Sequence, residues 1–286
     1  MLEDVYFGGF YFEVAFILRD SLFLSSVLTN CEAWYGLTDK DVEILEQADE
    51  SLLRRILEVP ISTPKCMLFL ETGCQPLRFT IMTRRLMFLH YILNEDEKSL
   101  ISRFYKSQVN SPYKDDWCTT VQTNLDYLEI MLTHEQIREC SKQQFKTLVT
   151  KCCKEKALLY LNQKKAKLSK VKHIQFNYLK KQNYFKLKNP NLSKFTFMVR
   201  SRMLDLGENY QNKYSDLNCP VCEDKSTRDS QSHLMVCPKL NENQIAQRAV
   251  NYEDIFEDDF EKQIEVARIM DQNFRKRKEI LRSKKK

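Results

Sequence analysis

Glycine and proline are scarce. The 286 residues contain five Gly and seven Pro. That is too few tight turns for an all-β protein, and too few glycines for a Gly-rich nucleotide-binding fold. The chain has no G-x-G-x-x-G, no Gly-Lys-Ser/Thr phosphate loop, no G-x-S-x-G and no H-E-x-x-H. It also lacks a long apolar run. Residues 5–28 are hydrophobic but carry Glu13, Arg19 and Asp20, so the uncharged stretches fall short of a bilayer span. No basic segment precedes a small-residue cleavage site. The expectation is a soluble, intracellular protein without a membrane partner, nuclear in preference to cytoplasmic. In a reducing compartment its ten cysteines stay free or bind metal.

What is present points to helices. Hydrophobic residues make up 43% and charged residues 29%, an ordinary globular balance. Glu13 to Asn30 reads as a largely buried helix. Thr38-Asp-Lys-Asp41 has the form of a helix N-terminus, and Val42, Leu45, Ala48, Leu52, Leu53 and Ile56 give one apolar face behind it. Pro60 and Pro64 close that helix, and Pro76 opens the next, with Leu77, Ile81, Leu86, Leu89, His90 and Leu93 in its pattern. A further helix is predicted from about Glu97 to Val109, and more from Trp117 to about Leu168. Thr133-His-Glu-Gln136 has the form of a capping box. Residues 193–206 read as a helix with Arg200 and Arg202 near its centre. The fold class predicted is therefore mainly α: a multi-helix array with a small Cys3His zinc knuckle near the C-terminus. Four segments follow from composition: 1–111, 112–212, 213–240 and 241–286, the last a charged helical or disordered tail.

The charge is unevenly spread. Residues 141–215 hold 18 Lys/Arg against 3 Asp/Glu, a local net of +15 within a chain of net +6. The remainder has a net of −9. Aromatics such as His173, Phe176, Tyr178, Tyr184, Phe185, Phe195 and Phe197 interleave with the cations. A run of this kind either forms a solvated helix face over core aromatics or binds nucleic acid, with cations on phosphates and rings on unpaired bases. The contacts predicted are Arg200, Arg202, Lys194, Lys164, Lys165 and Lys167, and the partner RNA or single-stranded or target DNA. The tail cations Arg275-Lys-Arg-Lys278 and Lys284-Lys-Lys286 suit nuclear import, added phosphate contacts or a solvated end.

Seven cysteines (Cys31, Cys66, Cys74, Cys118, Cys140, Cys152 and Cys153) sit among apolar or helical neighbours and read as small buried hydrophobes. The other three belong to a pattern. Cys219-x2-Cys222, ten residues, then His233-x3-Cys237 places two sulfurs on a tight turn and two ligands one helical turn apart. Three thiolates and an imidazole suit tetrahedral Zn²⁺ with no position left for water, which makes the site structural. The polar linker between the two halves cannot fold by burial alone, so metal binding would supply folding energy.

Tyr113-Lys114-Asp115-Asp116 matches the Y-x-D-D string of reverse transcriptases, where paired carboxylates bind Mg²⁺. Here it follows Ser111-Pro112, precedes a helical pattern and carries a Lys inside the string. Asp115 and Asp116 are read as helix N-terminal acids.

Other stretches carry a resemblance. Arg19-Asp-Ser-Leu-Phe-Leu-Ser-Ser-Val-Leu with Cys31-Glu-Ala-Trp-Tyr35 is one. Leu45-Glu-Gln-Ala-Asp-Glu-Ser-Leu-Leu-Arg54, Ile56-Leu-Glu-Val-Pro60, Glu71-Thr-Gly-Cys-Gln-Pro-Leu77 and Arg84-Arg-Leu-Met-Phe-Leu-His-Tyr91 follow. Phe197-Met-Val-Arg-Ser-Arg-Met203 then leads into the Cys/His pattern. In this order they resemble the C-terminal part of non-LTR (LINE-type) retrotransposon reverse transcriptases: thumb, linker and CCHC zinc knuckle, over roughly residues 12–260. The resemblance implies a thumb-like 1–111, a basic linker 112–212 and zinc on Cys219, Cys222, His233 and Cys237. It also implies binding of an element's RNA or its target DNA. The palm, its catalytic carboxylates and any endonuclease motif are missing, so no catalytic residue is carried over and no enzyme activity is expected. The expected function is that of a non-catalytic nucleic-acid-binding fragment. The alternatives are a protein-interaction module stabilised by structural zinc, or a fragment with no independent function. In each case the missing palm or a protein partner would cover apolar surface on the N-terminal helices.

Overall fold

The computed structural model describes residues 11–111, 116–214, 216–222, 226–241 and 250–284. The architecture is mainly helical, with a Cys3His group near the C-terminus. No strand forms among the described residues beyond one antiparallel bridge, Asn218 to Arg228.

Local chemistry sets the helix ends. α1 (Tyr11–Leu18) runs through a widened π turn (Arg19–Phe23) into α2 (Leu24–Val27). The helix expected from Glu13 to Asn30 is thus helical only as far as Val27, is locally opened at Arg19–Phe23, and gives way to a turn at 28–30. The opening falls at Arg19, which is buried and holds Asp49 through Nε and Nη2 at 2.7 and 2.5 Å. Ile17 and Leu22 remain exposed, so this segment is less buried than its composition predicts.

α3 (Asp39–Leu57) starts with a reciprocal cap: Thr38 Oγ1 accepts from Asp41 N–H, and Asp41 Oδ2 from Thr38 N–H. It ends at Glu58, in a left-handed conformation two residues before Pro60. α4 (Lys65–Thr72) is buried from Cys66 to Thr72. It stops at Gly73, whose φ of +69° lies in the region open to glycine. A Cβ there would sit 2.2 Å from the Lys181 backbone nitrogen, so the close crossing of residues 180–181 also requires glycine.

α5 (Leu77–Asn94) lies at the centre and packs against α3, α6 (Leu100–Val109), α7 (Trp117–Tyr127), α8 (His134–Glu139) and α9 (Lys142–Ala166). Asp116 caps α7 by accepting from Thr119 N–H at 2.8 Å; Tyr113 to Asp115 lie outside the described residues. The Thr133/Gln136 box caps α8, and a similar Ser141/Gln144 box caps α9. Phe145, Val149, Cys153, Ala157, Leu161 and Lys165 recur every four residues as the buried stripe of α9.

α10 (Pro190–Arg200) begins at Asn189, with Pro190 in the first turn. It is shorter than the predicted 193–206 helix. Arg202 adopts φ 58°, and Met203 N–H closes back onto Met198 O at 2.8 Å. That is a left-handed C-terminal closure, usually made by glycine. α11 (Gln231–Val236) carries the second half of the Cys/His pattern, and α12 (Phe260–Ser283) packs on α10 and α11. The tail segment is thus helical over α12, and Ile264, Val266, Ala267, Met270 and Phe274 are buried in the core.

One continuous buried cluster reaches from Phe12 to Phe274 and draws on all four composition segments. Phe176, Phe185, Phe195, Phe197 and Tyr184 all belong to it. No helix of the described residues is long and apolar enough to cross a membrane.

Candidate metal centre

The bridge at Asn218 and Arg228 folds the chain back on itself. Cys219 N–H donates to Thr227 O at 2.9 Å and Asp229 N–H to Leu217 O at 2.8 Å. This ribbon presents Cys219-Pro-Val-Cys222 as a turn. Ser230 then caps α11, accepting from His233 N–H at 3.0 Å, and Cys237 closes the helix. His233 and Cys237 therefore share one helical side facing the turn.

The ligand atoms of Cys219, Cys222, His233 and Cys237 all lie within 4.8 Å of one another. Cys222 Sγ is 3.5 Å from His233 Nε2. A tetrahedral centre with metal–sulfur bonds of about 2.3 Å needs donors roughly 3.8 Å apart, so the set forms a group able to hold a metal ion. Cys219 and Cys237 are buried, whereas Cys222 and His233 are half-buried. Burial pushes the Cys219 thiol up to about 12 and raises Cys237 as well. A cation among the sulfurs acts in the opposite direction and favours thiolates.

A shell of amides and one ion pair, invisible to spacing arguments, holds this cluster. Asn241 Nδ2 donates to Met235 O and Cys237 O at 3.1 and 2.9 Å. Asn273 Nδ2 on α12 donates to Leu234 O at 2.9 Å and to Asn241 Oδ1 at 3.2 Å. Gln231 Nε2 donates to Val199 O at 2.9 Å. Asp229 accepts from Gly207 N–H at 2.9 Å and from Arg277 Nη2 at 2.6 Å, with both side chains almost fully buried. The knuckle is thus built into the protein between α10 and α12. Only i,i+4 polar residues on an amphipathic helix hinted at this, and Asn273 and Arg277 meet that pattern by lying on the face that also carries Met270 and Phe274.

The cations predicted to meet nucleic acid divide sharply. Arg200 is a correction: it is 2% exposed, and its Nε donates to Glu71 Oε1 at 2.9 Å. Its Nη1 donates to Ile255 O, and Tyr184 Oη completes Glu71 at 2.9 Å. Burial pushes the Glu71 carboxyl upward, while Arg200 and Tyr184 pull it down. Lys165 is a second correction. It is buried with Nζ on Lys172 O and Ile174 O, and burial lowers its pKa. Lys194 pairs with Glu58 at 2.5 Å and lies over the Tyr11 ring, its side chain 13% exposed. Arg202 pairs with Glu208 at 2.8 Å and covers the Tyr252 and Phe256 rings. In the tail run, Arg277 is buried, Arg275 pairs with Asp271, and Lys278 lies over Phe274.

Lys164 and Lys167 remain exposed at the end of α9. The same helix exposes Lys142, Lys146, Lys151 and Lys154. None of these six has an acidic partner among the described residues, although Lys164 lies over the Tyr160 ring. The aromatics expected to stack on bases are mainly core; Tyr178 and His173 are the exposed exceptions.

No family model, no curated protein and no solved structure matches the chain.

Proposed function

We propose that the protein is a non-catalytic nucleic-acid-binding fragment similar to the C-terminal part of a LINE-type reverse transcriptase. In this reading Zn²⁺ on Cys219, Cys222, His233 and Cys237 is a structural staple. The observation that carries the reading is the set of six exposed lysines along α9 and its end, from Lys142 to Lys167, with no acidic partners among the described residues. Exposed lysines of this kind neutralise phosphates and release their counterions, and the affinity then falls with salt. Lys164 and Lys167 also sit at the helix C-terminus, where cations favour the helix itself, so the salt response distinguishes binding from a local structural role. The test is a gel-shift titration of the full chain against single-stranded RNA, single-stranded DNA and duplex DNA at several salt concentrations. The reading expects log affinity to fall with log salt by several units of slope; an affinity indifferent to salt overturns it. Zinc is tested by metal analysis of the purified protein, with one equivalent expected.

A second reading, a protein-interaction module, has its own support. Leu100 and Phe104 on α6 are 75% and 65% exposed, and Ile17 and Leu22 extend outward near the N-terminus. Exposed apolar surface of this kind suits a protein partner. A partner retained after nuclease treatment favours this reading; a partner lost on nuclease treatment favours the first.

A further inference from the structure

A groove of about 700 Å³ lies between α5 and the start of α9. Its volume falls within the range of small-ligand sites. Phe88 and Tyr91 form its aromatic side: the two rings stack at 6.0 Å with 11° between planes, and Tyr91 is half exposed. Lys142 and Lys146 stand on the opposite side, one turn apart on α9.

Two consecutive arginines on α5, Arg84 on the groove wall and Arg85 outside its lining, differ from the others in the molecule. Among the described residues, those that are buried or half-buried elsewhere each meet a carboxylate. Arg19 has Asp49, Arg54 has Glu50, and Arg78 has Glu46. Arg200 has Glu71, Arg202 has Glu208, and Arg277 has Asp229. Arg84, which lines the groove, donates from Nη1 to the Leu28 carbonyl at 2.8 Å. Arg85, 4% exposed, donates from Nη2 to the Trp34 carbonyl at 2.6 Å, and its Nε has no partner. Neither has a carboxylate among the described residues. On the groove wall the half-buried Arg84 guanidinium faces neutral dipoles, and with Lys142 and Lys146 it outnumbers the carboxylates of Glu32 and Glu95, so an incoming anion meets net positive charge. The two carboxylates disfavour a purely acidic peptide and can accept hydrogen bonds from base amino groups.

We propose that this groove holds a segment of single-stranded nucleic acid, with two successive backbone phosphates on Arg84, Lys142 and Lys146 and an unpaired base against Tyr91. The proposal rests on the nucleic-acid reading above and adds a place and a preference for single strands. A half-exposed ring can stack only on a base whose face is open, as in single strands and loops.

The experiment measures fluorescence anisotropy of the full chain with labelled single strands of about 20 nucleotides, long enough to cover one site. The variant Lys142→Glu plus Lys146→Glu leaves the core untouched, and acidic residues suit the start of a helix. It is expected to weaken binding about tenfold or more and to lower the salt slope by about 1.4, because two phosphates are no longer neutralised. Lys151→Glu plus Lys154→Glu makes the same charge change farther along α9 and is expected to cost less. Tyr91→Ala should weaken single strands about tenfold and leave duplex binding unchanged. Wild-type binding undiminished by the Lys142/Lys146 pair, or reduced no more than by the Lys151/Lys154 pair, overturns the groove and leaves the nucleic-acid reading standing. Equal competition by oligo-glutamate also overturns the groove as a nucleic-acid site. No binding of any strand by the wild type overturns both.

Discussion

The cations around the Cys3His cluster and the cations along α9 belong to one basic stretch of sequence, extended by the tail helix, yet the fold uses them in opposite ways. Around the cluster, Arg200, Arg202 and Arg277 are turned inward and matched to Glu71, Glu208 and Asp229. Along α9, six lysines point outward without acidic partners among the described residues. Residue chemistry explains the division. The guanidinium is a rigid, weakly hydrated fork that pairs with carboxylates under burial, whereas a lysine ammonium keeps its water and its mobility. A local charge of +15 therefore overstates the free positive surface, because part of it is neutralised internally.

The largest expected effect lies on the metal side. Structural zinc contributes on the order of 10 kcal/mol in isolated finger peptides. Chelation or Cys219→Ser plus Cys222→Ser should abolish metal content and expose residues 217–241 to protease. The α5–α9 pairing, built on burial without metal, should persist by circular dichroism. Equal loss of both parts would erase the contrast between them.

Next in size is the buried ion pair. Arg200→Met removes the cation matched to the buried Glu71 carboxyl, leaving it only the Tyr184 hydroxyl, and should cost roughly 3–5 kcal/mol in chemical denaturation. Under conditions where the variant is folded, its affinity for nucleic acid should match the wild type; a selective loss of affinity at full stability would return Arg200 to the binding surface.

The smallest effect on stability, and a clear one on binding, is expected from Lys164→Ala plus Lys167→Ala. Exposed positions of this kind change stability by about 0.5 kcal/mol or less. With two fewer cations to neutralise phosphates, the salt slope should fall by about 1.4 for single strands. An unchanged slope would limit the binding surface to other parts of α9.

Much of the fold could be read from local chemistry. The Thr38 and Thr133 caps, the helix opening after Pro76 and the acid at Asp116 rest on residues a few positions apart. The four metal ligands likewise repeat short-range spacings. The failures are long-range. Arg200 turns inward because of Glu71, 129 residues earlier in the chain. The tail docks because Asn273 meets carbonyls of α11, 39 and 38 residues before it. The predicted helix past Arg200 stops at a left-handed Arg202, whose ring contacts and Glu208 pairing accompany a conformation that costs about 1–2 kcal/mol without glycine. Glu208 lies six residues from Arg202, but the other partners fall outside any local window of sequence.

The crossing at Gly73 has a consequence for the order of assembly. Glu71, two residues before it, accepts from Tyr184 across 113 residues and from the Gln182 backbone at 3.0 Å. Closing so long a loop costs entropy before any contact rewards it. The chain enclosed by that loop holds α5 to α9, and even their longest-range packing, α5 on α9, spans fewer residues than the clasp. These helices are expected to assemble first and the clasp to shut over them late. Folding kinetics of Tyr184→Phe should then show faster unfolding with little change in the folding rate. A matching slowdown in folding would place the clasp in the nucleus instead. On this ordering, Gly73 is the latch through which the early-formed helices gain their connection to the end that carries the Cys3His cluster.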